Sequence, residues 1–452
     1  MNIKNIEDLI GISQYLTVTL GIGGRIRCFP EDFLVEEILT DGSKASLKQA
    51  YNLPPEGWGR YLLCLLIKKD FDTISALERI AKELSIMPSM IHAAGIKDAR
   101  ALTAQFISIG MTTPEKVRSL NIKGLKIVPV RFEKEALSSR NIYGNSFCVT
   151  IRDICISLSH IETRIRAILN EIYKLGGIPN FFGHQRFGTV RPITHLVGRY
   201  IIKGDVEKAA MTFLAKPSQY ENPRSRELRR RLEETGDYKE ALKKFPRGLI
   251  YERRMLSHLV NHPRDYIGAF RKLPMRLRRL FIHAYQSYLY NRFLSERLKR
   301  GISLSDVTAG DYILKLDQKG LPTNEISKIS LSNIRDVKCE VKMGKAAVAL
   351  PLVGSNIELS GGLEGEIEQD ILEEEDVSPK DFNVKVMPEL KTHGSFRRIM
   401  APVLNFKIYE ASEDIITSKF KVKIGFTLQR GSYATILLRE IMKPPDVVRA
   451  GY

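Results

Sequence analysis

The sequence predicts a mixed α/β (α+β) protein of two or three domains. Three observations carry that expectation. The chain's 452 residues exceed what one hydrophobic core usually organises. Short segments with period-two alternation are interspersed with stretches whose apolar stripe repeats at helical spacing. The composition changes near Asp205, becoming rich in arginine, and returns to strand-like alternation after about Met400.

The elements follow in order. Arg25 to Ile38 reads as two short strands around a Pro30-Glu31-Asp32 turn, the second alternating from Asp32. A helix is expected from Thr73 to Ser85, capped by Asp72 or Thr73, with Ile74, Leu77, Ile80, Ala81 and Leu84 on its buried face. Ile91 to Gly110 reads as strand–loop–strand, with Gln105 to Ile109 its clearest part, and Phe147 to Ile151 is another strand. Ser159 and Glu162 have capping-box spacing ahead of a stripe of Ile161, Ile165, Ile168, Leu169 and Ile172, which Gly176 and Gly177 end. A long helix is expected from Met275 to Arg300, stopped at Gly301. Short strands follow near Tyr312 to Leu316 and Ala346 to Leu352. The acidic run Glu364 to Asp376 reads as a solvated helix face, and Phe426 to Glu440 as terminal strand-like alternation.

The net charge of +18 points to a polyanionic partner, either nucleic acid or an anionic membrane surface. No apolar run approaches the ~20 residues of a membrane span, and Met1 to Leu20 lacks a secretory pattern. The five cysteines are scattered without a C-x-x-C pair, which argues against a disulfide framework or zinc and for a reduced, cytoplasmic protein. The eight histidines form no metal-ligand spacing, so no metal is expected. Gly21-Ile22-Gly23-Gly24 lacks G-x-G-x-x-G and P-loop spacing, and no G-x-S-x-G elbow occurs.

Four segments could carry chemistry. In Ala94 to Gln105, Asp98 sits in a loop with Lys97 and Arg100 beside it, and Gly95 permits an unusual backbone angle. Neighbouring cations hold a carboxylate ionised, which suits a nucleophile or base; a surface salt bridge would look the same. Asn180 to Gly188 (NFFGHQRFG) offers Phe181, Phe182 and Phe187 as π-faces, Asn180 and Gln185 as amides, and Arg186 as a cation. An unstacked base needs all three, although such aromatics can equally anchor a core. Gly425 to Thr435 and Pro30 to Glu37 complete the set, and Phe33 and Phe426 within them could each be core residues.

Taken together, PEDFLVEE, AGIKDARALTAQFISI, NFFGHQRFG, LRRLFIHAYQSYLYN and GFTLQRGSYATILLRE resemble the TruD family of pseudouridine synthases, in that family's order and across nearly the whole chain. The resemblance implies a pseudouridine synthase catalytic fold with a mixed, mostly antiparallel sheet. That domain would be discontinuous, residues 1–205 and 401–452, with an inserted α+β TRUD domain at 206–400. It implies conversion of uridine, typically uridine-13 of tRNA, to pseudouridine. Asp98 matches the family's catalytic aspartate, and Arg27 lies where a basic partner for it is placed. Phe33, Asn180 and Phe426 match substrate-binding positions, and Phe182, in the Asn180 loop, is expected to bind substrate with them. The partner would be tRNA, the enzyme a monomer, and no membrane or small-molecule cofactor would be involved. Activity on another RNA, or a catalytically silent RNA-binding protein of the same fold, are the alternatives.

The chemistry is an isomerisation: the N1–C1′ bond breaks, the uracil turns, and C5 bonds to C1′. One carboxylate suffices, at C1′, at C6, or as a base at C2′, and no redox cofactor, ATP or metal is required. Flipping the uridine costs a few kcal/mol, which stacking of about 1–3 kcal/mol on a Phe face can offset. Arg186, the cluster Arg224 to Arg231 with Arg229 and Arg230, and Arg276 to Arg279 are candidates for backbone phosphates. The two clusters could equally be solvated helix faces.

Overall fold

A computed structural model describes residues 6–48, 55–97 and 100–452. Strands β1 (Phe33–Leu39), β2 (Tyr61–Lys69), β3 (Ile91–Ala93), β4 (Leu102–Gly110), β5 (Leu125–Glu133) and β6 (Ile142–Ile154) come from the first third of the chain. A two-residue strand β7 (Ile178–Pro179) follows. Four strands, β8 (Tyr312–Leu316), β9 (Pro322–Lys328), β10 (Ala346–Leu352) and β11 (Ser395–Arg398), form a separate small sheet. β12 (Met400–Ala401) pairs with β7, and β13 (Val403–Asp414) and β14 (Lys419–Gln429) complete the large sheet.

Among the described residues the large sheet has eight strands in the order β13-β14-β6-β1-β4-β2-β5, with β3 against β4. Its one parallel pair there is β1–β4; its other pairs are antiparallel. The sheet is therefore mixed and mostly antiparallel, as expected. β2 is apolar from Tyr61 to Ile67, where it is covered on both faces. Leu62, Cys64 and Leu66 pack with Ala76 and Ile80, while Leu63 and Leu65 pack with Leu39 and Phe106.

The two ends of the chain meet in this sheet. β14 pairs with β6 in a register that sets Phe426 opposite Phe147. The helix Ala434–Met442 then ties down the first described residues. Its buried Arg439 donates from Nε to Glu7 Oε1 at 2.7 Å and lies 3.7 Å over the Tyr15 ring. Thr17 Oγ1 donates to Glu440 Oε2 at 2.8 Å.

Residues 206–300 are helical, ending in the helix Met275–Lys299, which Gly301 terminates at φ 68°. That helix is buried on several sides, including Tyr285, Tyr290, Phe293 and Leu294. It packs against the helix Thr194–Ile202 through Gly198, where an added Cβ would lie 2.0 Å from the Phe281 carbonyl oxygen. No helix among the described residues is long and apolar enough to cross a membrane.

Several local expectations are corrected. The helix after β6 spans Leu158–Lys174 with Ser157 at its N-cap, so Ser159 and Glu162 form no capping box, although all five stripe residues are buried. The helix Thr73–Glu83 buries Thr73, Ala76, Ile80 and Ala81, whereas Ile74 is exposed, because Thr73 is turned inward. The first half of Arg25 to Ile38 makes a single bridge, Arg25 to Arg152, and a helical turn at Pro30–Asp32. The segment Phe426 to Glu440 is strand only as far as Gln429; from Ala434 it is helix. The acidic run is not simply solvated. Arg297 is fully buried, bonding Asp311 Oδ1 at 2.7 Å and Glu364 Oε2 at 2.9 Å, and Glu368 is buried against Ser360.

His195 is buried between Phe187 and Tyr288, with ring centroids 5.4 and 5.0 Å away. Burial, aided by Lys216, pushes it down to about 3. His184 falls to about 3 for the same first reason, with Arg439 and Arg27 adding to it. Both are neutral in the fold, while the unfolded chain takes up protons below about pH 6.5. Stability is therefore intact above that pH and falls as the pH drops from about 6.5 towards 3, by up to ~1.4 kcal/mol per unit for each histidine. Denaturant midpoints between pH 7.5 and 5 should fall accordingly, and His195→Gln should flatten the dependence.

Candidate active site

A cavity of about 430 Å3 opens where the start of β1, the middle of β6 and the turn after β14 converge. Arg27, Phe33, Asp72, Lys97, Phe147, Gln185 and Tyr433 are among its lining residues. Asp98 and Ala99 lie outside the described residues; Lys97 directly precedes them.

The chain before Asp98 is pinned by buried polar groups. Lys97 N donates to Thr73 Oγ1 at 3.1 Å, and Thr73 Oγ1 donates to Gln105 Oε1 at 3.1 Å. Gln105 Nε2 donates to the Gly95 carbonyl at 3.1 Å, and Lys68 Nζ to the Lys97 carbonyl at 3.4 Å. Lys97 Nζ makes an ion pair with Glu37 Oε1 at 2.5 Å, with side chains 7% and 0% exposed. Glu37 Oε2 also accepts from the Phe106 amide at 3.0 Å, which fixes it to β4.

Two sequence expectations change here. Lys97 directs its charge to Glu37. Gly95 does not adopt a positive φ; its carbonyl serves Gln105, and an added Cβ would meet Ile142 at 3.3 Å. Arg100 is exposed.

Arg27 reaches the cavity from the other side. Its backbone is left-handed at φ 54°, a costly conformation for a residue with a Cβ. Its Nη1 donates to the Gly451 carbonyl at 2.9 Å, and the guanidinium lies 4.1 Å over the Phe33 ring. Phe33 meets Phe147 edge-on at 6.2 Å. Phe147 stacks on Phe426 at 5.2 Å, and Phe426 on Phe406 at 6.3 Å. Phe33 and Phe147 line the cavity; Phe426 is 2% exposed, packed into the core against Phe147, and is not a lining residue. Phe147 was read from the sequence only as part of a strand, because its position opposite Phe426 depends on the register of β6 and β14.

Asp72 is the one carboxylate lining the cavity among the described residues, and the sequence suggested for it only a capping role. It accepts from Ser75 N at 2.9 Å as the helix N-cap. Burial acts to raise its carboxyl, but hydrogen bonds from Ser75 and Ile74 outweigh that and hold it below the usual range.

The NFFGHQRFG loop divides its work. Gln185 lines the cavity, and its Oε1 accepts from Thr435 Oγ1 at 3.3 Å. Asn180 and Phe182 are buried and do not line it. Asn180 Nδ2 donates to the Arg398 carbonyl at 3.0 Å, and its Oδ1 accepts from Arg397 Nη2 at 2.7 Å. Arg397 lies 4.1 Å over the Phe182 ring and also donates to the Gly431 carbonyl at 2.7 Å. It thereby joins β11, this loop and the Gly431 turn beside the cavity. Arg186 is half-buried, 5.1 Å from the Phe182 ring. Nothing in the sequence singled out Arg397, since its partners come from distant parts of the chain.

The expectation that Arg229 contacts RNA backbone is corrected. It is 2% exposed, paired with Glu221 at 3.0 Å and Glu252 at 2.8 Å, and donates to the Leu214 carbonyl at 2.7 Å. Arg230 is exposed and pairs with Glu227 at 3.2 Å, and Arg276 is exposed. Arg278 is tied to Glu389 at 2.7 Å.

The chain and its fold have counterparts among known proteins. The family model for tRNA pseudouridine synthase D (TruD) matches residues 9–441. A protein of Methanosarcina barkeri named probable tRNA pseudouridine synthase D is 38% identical over 444 residues, covering 98% of each chain. One of the same name from Methanopyrus kandleri is 40% identical over 387 residues, 85% of this chain and 86% of that one. A crystal structure from Methanosarcina mazei titled for the same synthase superposes with a TM-score of 0.80 at 38% identity, covering 98% of this chain and 99% of that one. The chain belongs to the TruD family of tRNA pseudouridine synthases, enzymes that isomerise uridine to pseudouridine.

The buried ion pair at the cavity wall gives a direct test. Lys97→Met leaves Glu37 charged and unpaired, and should lower stability by about 3–5 kcal/mol. Glu37→Leu combined with Lys97→Met should recover most of that loss in denaturant unfolding. An undiminished midpoint in the single variant would remove the pair from its structural role.

Proposed function

We propose that this chain converts uridine-13 of tRNA to pseudouridine, with Asp98 as the reacting carboxylate and Arg27 as its cationic partner. The observation that carries this reading is the anchored Lys97 at the wall of a cavity that also receives Arg27 and Phe33. Lys97 itself is held by its backbone and side chain, which suits a site whose groups must be aimed.

In this reading the target uridine leaves its stack and enters the cavity, with Phe33 beside it. Stacking contributes about 1–3 kcal/mol per base, against an unstacking cost of a few kcal/mol. Arg27, already stacked on Phe33, holds the carboxylate ionised and stabilises charge that develops during bond exchange. The carboxylate acts at C1′, at C6, or as a base at C2′. Asn180 and Phe182 act one layer back, through Arg397 and the Gly431 turn. Phe426 supports Phe147 from the core.

We also propose a discontinuous catalytic domain, residues 1–205 and 401–452, interrupted by an inserted domain at 206–400. The large sheet draws its strands from β1–β6 and β13–β14, and the small sheet draws on β8–β11, which supports that division.

Unmodified tRNA transcripts incubated with purified protein should acquire pseudouridine at position 13. Asp98→Ala should lose about a hundred- to ten-thousand-fold in rate. Asp72→Asn keeps an equally good cap and should retain activity. Equal loss in the Asp72 variant, or undiminished product with Asp98→Ala, would move the chemistry away from Asp98.

A further inference from the structure

The helical residues 238–272 enclose a second concave surface of about 750 Å3, remote in sequence from the proposed uridine site. Arg247, Arg253, Arg254 and Lys272 line it, together with His258 and His262. None of its lining residues is a carboxylate. Several other cations of the surrounding helices are matched by carboxylates. Arg229 is paired with Glu221 and Glu252, Arg231 and Lys244 with Glu240, and Arg271 and Arg278 with Glu389. Among the described residues, the four cations of the concavity have no such acidic partner.

Their placement is also prepared. Arg253 is half-buried, and its Nη1 donates to the Leu242 and Phe245 carbonyls at 2.6 and 2.8 Å, so its charge is fixed at the wall. Arg247, Arg254 and Lys272 are exposed. His258 is held by Asp265 at 2.7 Å, and its ring lies 4.9 Å from that of His262. Ser257 and Asn261 add neutral hydrogen-bonding groups at the rim. Like charges gathered on a concave surface repel one another unless an anion fills it. An extended, multiply charged anion fits better than a single ion, because the cations are spread over a wide, open surface.

We propose that this concavity binds the phosphodiester backbone of the RNA substrate, away from the uridine being isomerised. The proposal rests on RNA being the substrate. Backbone contacts of this kind position the RNA without reading its sequence, and they weaken with salt.

The test uses the full-length enzyme carrying Arg247→Glu and Arg254→Glu together, both at exposed positions. Affinity for unmodified tRNA transcript at about 0.1 M salt should fall tenfold or more. The slope of log affinity against log salt should shrink by about two, one for each lost contact. The fall in kcat/KM should lie in KM. Arg247→Lys with Arg254→Lys should restore the slope, which a purely structural loss would not predict. A doubly reversed variant with wild-type affinity and slope, on a wild type that modifies tRNA, overturns this site alone and leaves another polyanion, such as an acidic protein, as its occupant. A wild type that neither binds nor modifies tRNA overturns both the site and the function on which it rests.

Discussion

Burying a lysine and a glutamate together is costly unless both are fixed by further bonds, and the Lys97–Glu37 pair meets that condition. Glu37 belongs to β1 and also accepts from the amide of Phe106 in β4, so the pair spans the parallel junction of the large sheet. Lys97 in turn is gripped through its backbone by Thr73 and Lys68. One ion pair thus ties together the strand that carries Phe33, the strand beyond the loop, and the helix whose cap is Asp72. The cavity keeps its shape because these three elements cannot shift independently. A salt bridge of this type contributes geometry more than net stability.

Arg397 has a comparable role beside the cavity. It is half-buried, in contact with Asn180, Phe182 and Gly431 at once. β11, which carries it, belongs to the small sheet, while its partners flank the cavity. Burial works against its charge, and two neighbouring tyrosines, Tyr290 and Tyr433, offset part of that cost. Cavity lining and structural support are therefore divided between neighbours in sequence: Gln185 faces the cavity, while Phe182, three residues earlier, faces the cation behind it.

Much of this was readable in the sequence, for definite reasons. The stripe from Ile161 to Ile172 carries strong periodicity and the long helix from Met275 has Gly301 as its stop, and both stand where the sequence puts them. Arg27 and Phe33 were named in advance and share the cavity wall. The rest depended on pairings across the chain. Phe147 gains meaning only from its register against Phe426, and Arg397 from contacts outside its own segment, with Asn180 217 residues away. Arg229 was misread because a dense arginine run looks alike whether its members face water or buried glutamates such as Glu252. Thr73 was misread as a possible cap because a hydroxyl serving Lys97 and Gln105 leaves no trace in hydrophobic spacing.

The position of β14 has a consequence for how the protein comes into being. β14 pairs with β6 near the middle of the large sheet, and the residues just after it, Ser432 to Thr435, close one wall of the cavity. Synthesis runs from the N-terminus, and folding units form as they emerge from the ribosome. The helices and the small sheet are therefore complete while the large sheet still has an open edge at β6. That edge must stay unpaired with other chains until the final segment arrives. An interrupted translation product would carry the basic helical surfaces intact yet lack the wall that Ser432 to Thr435 give the cavity.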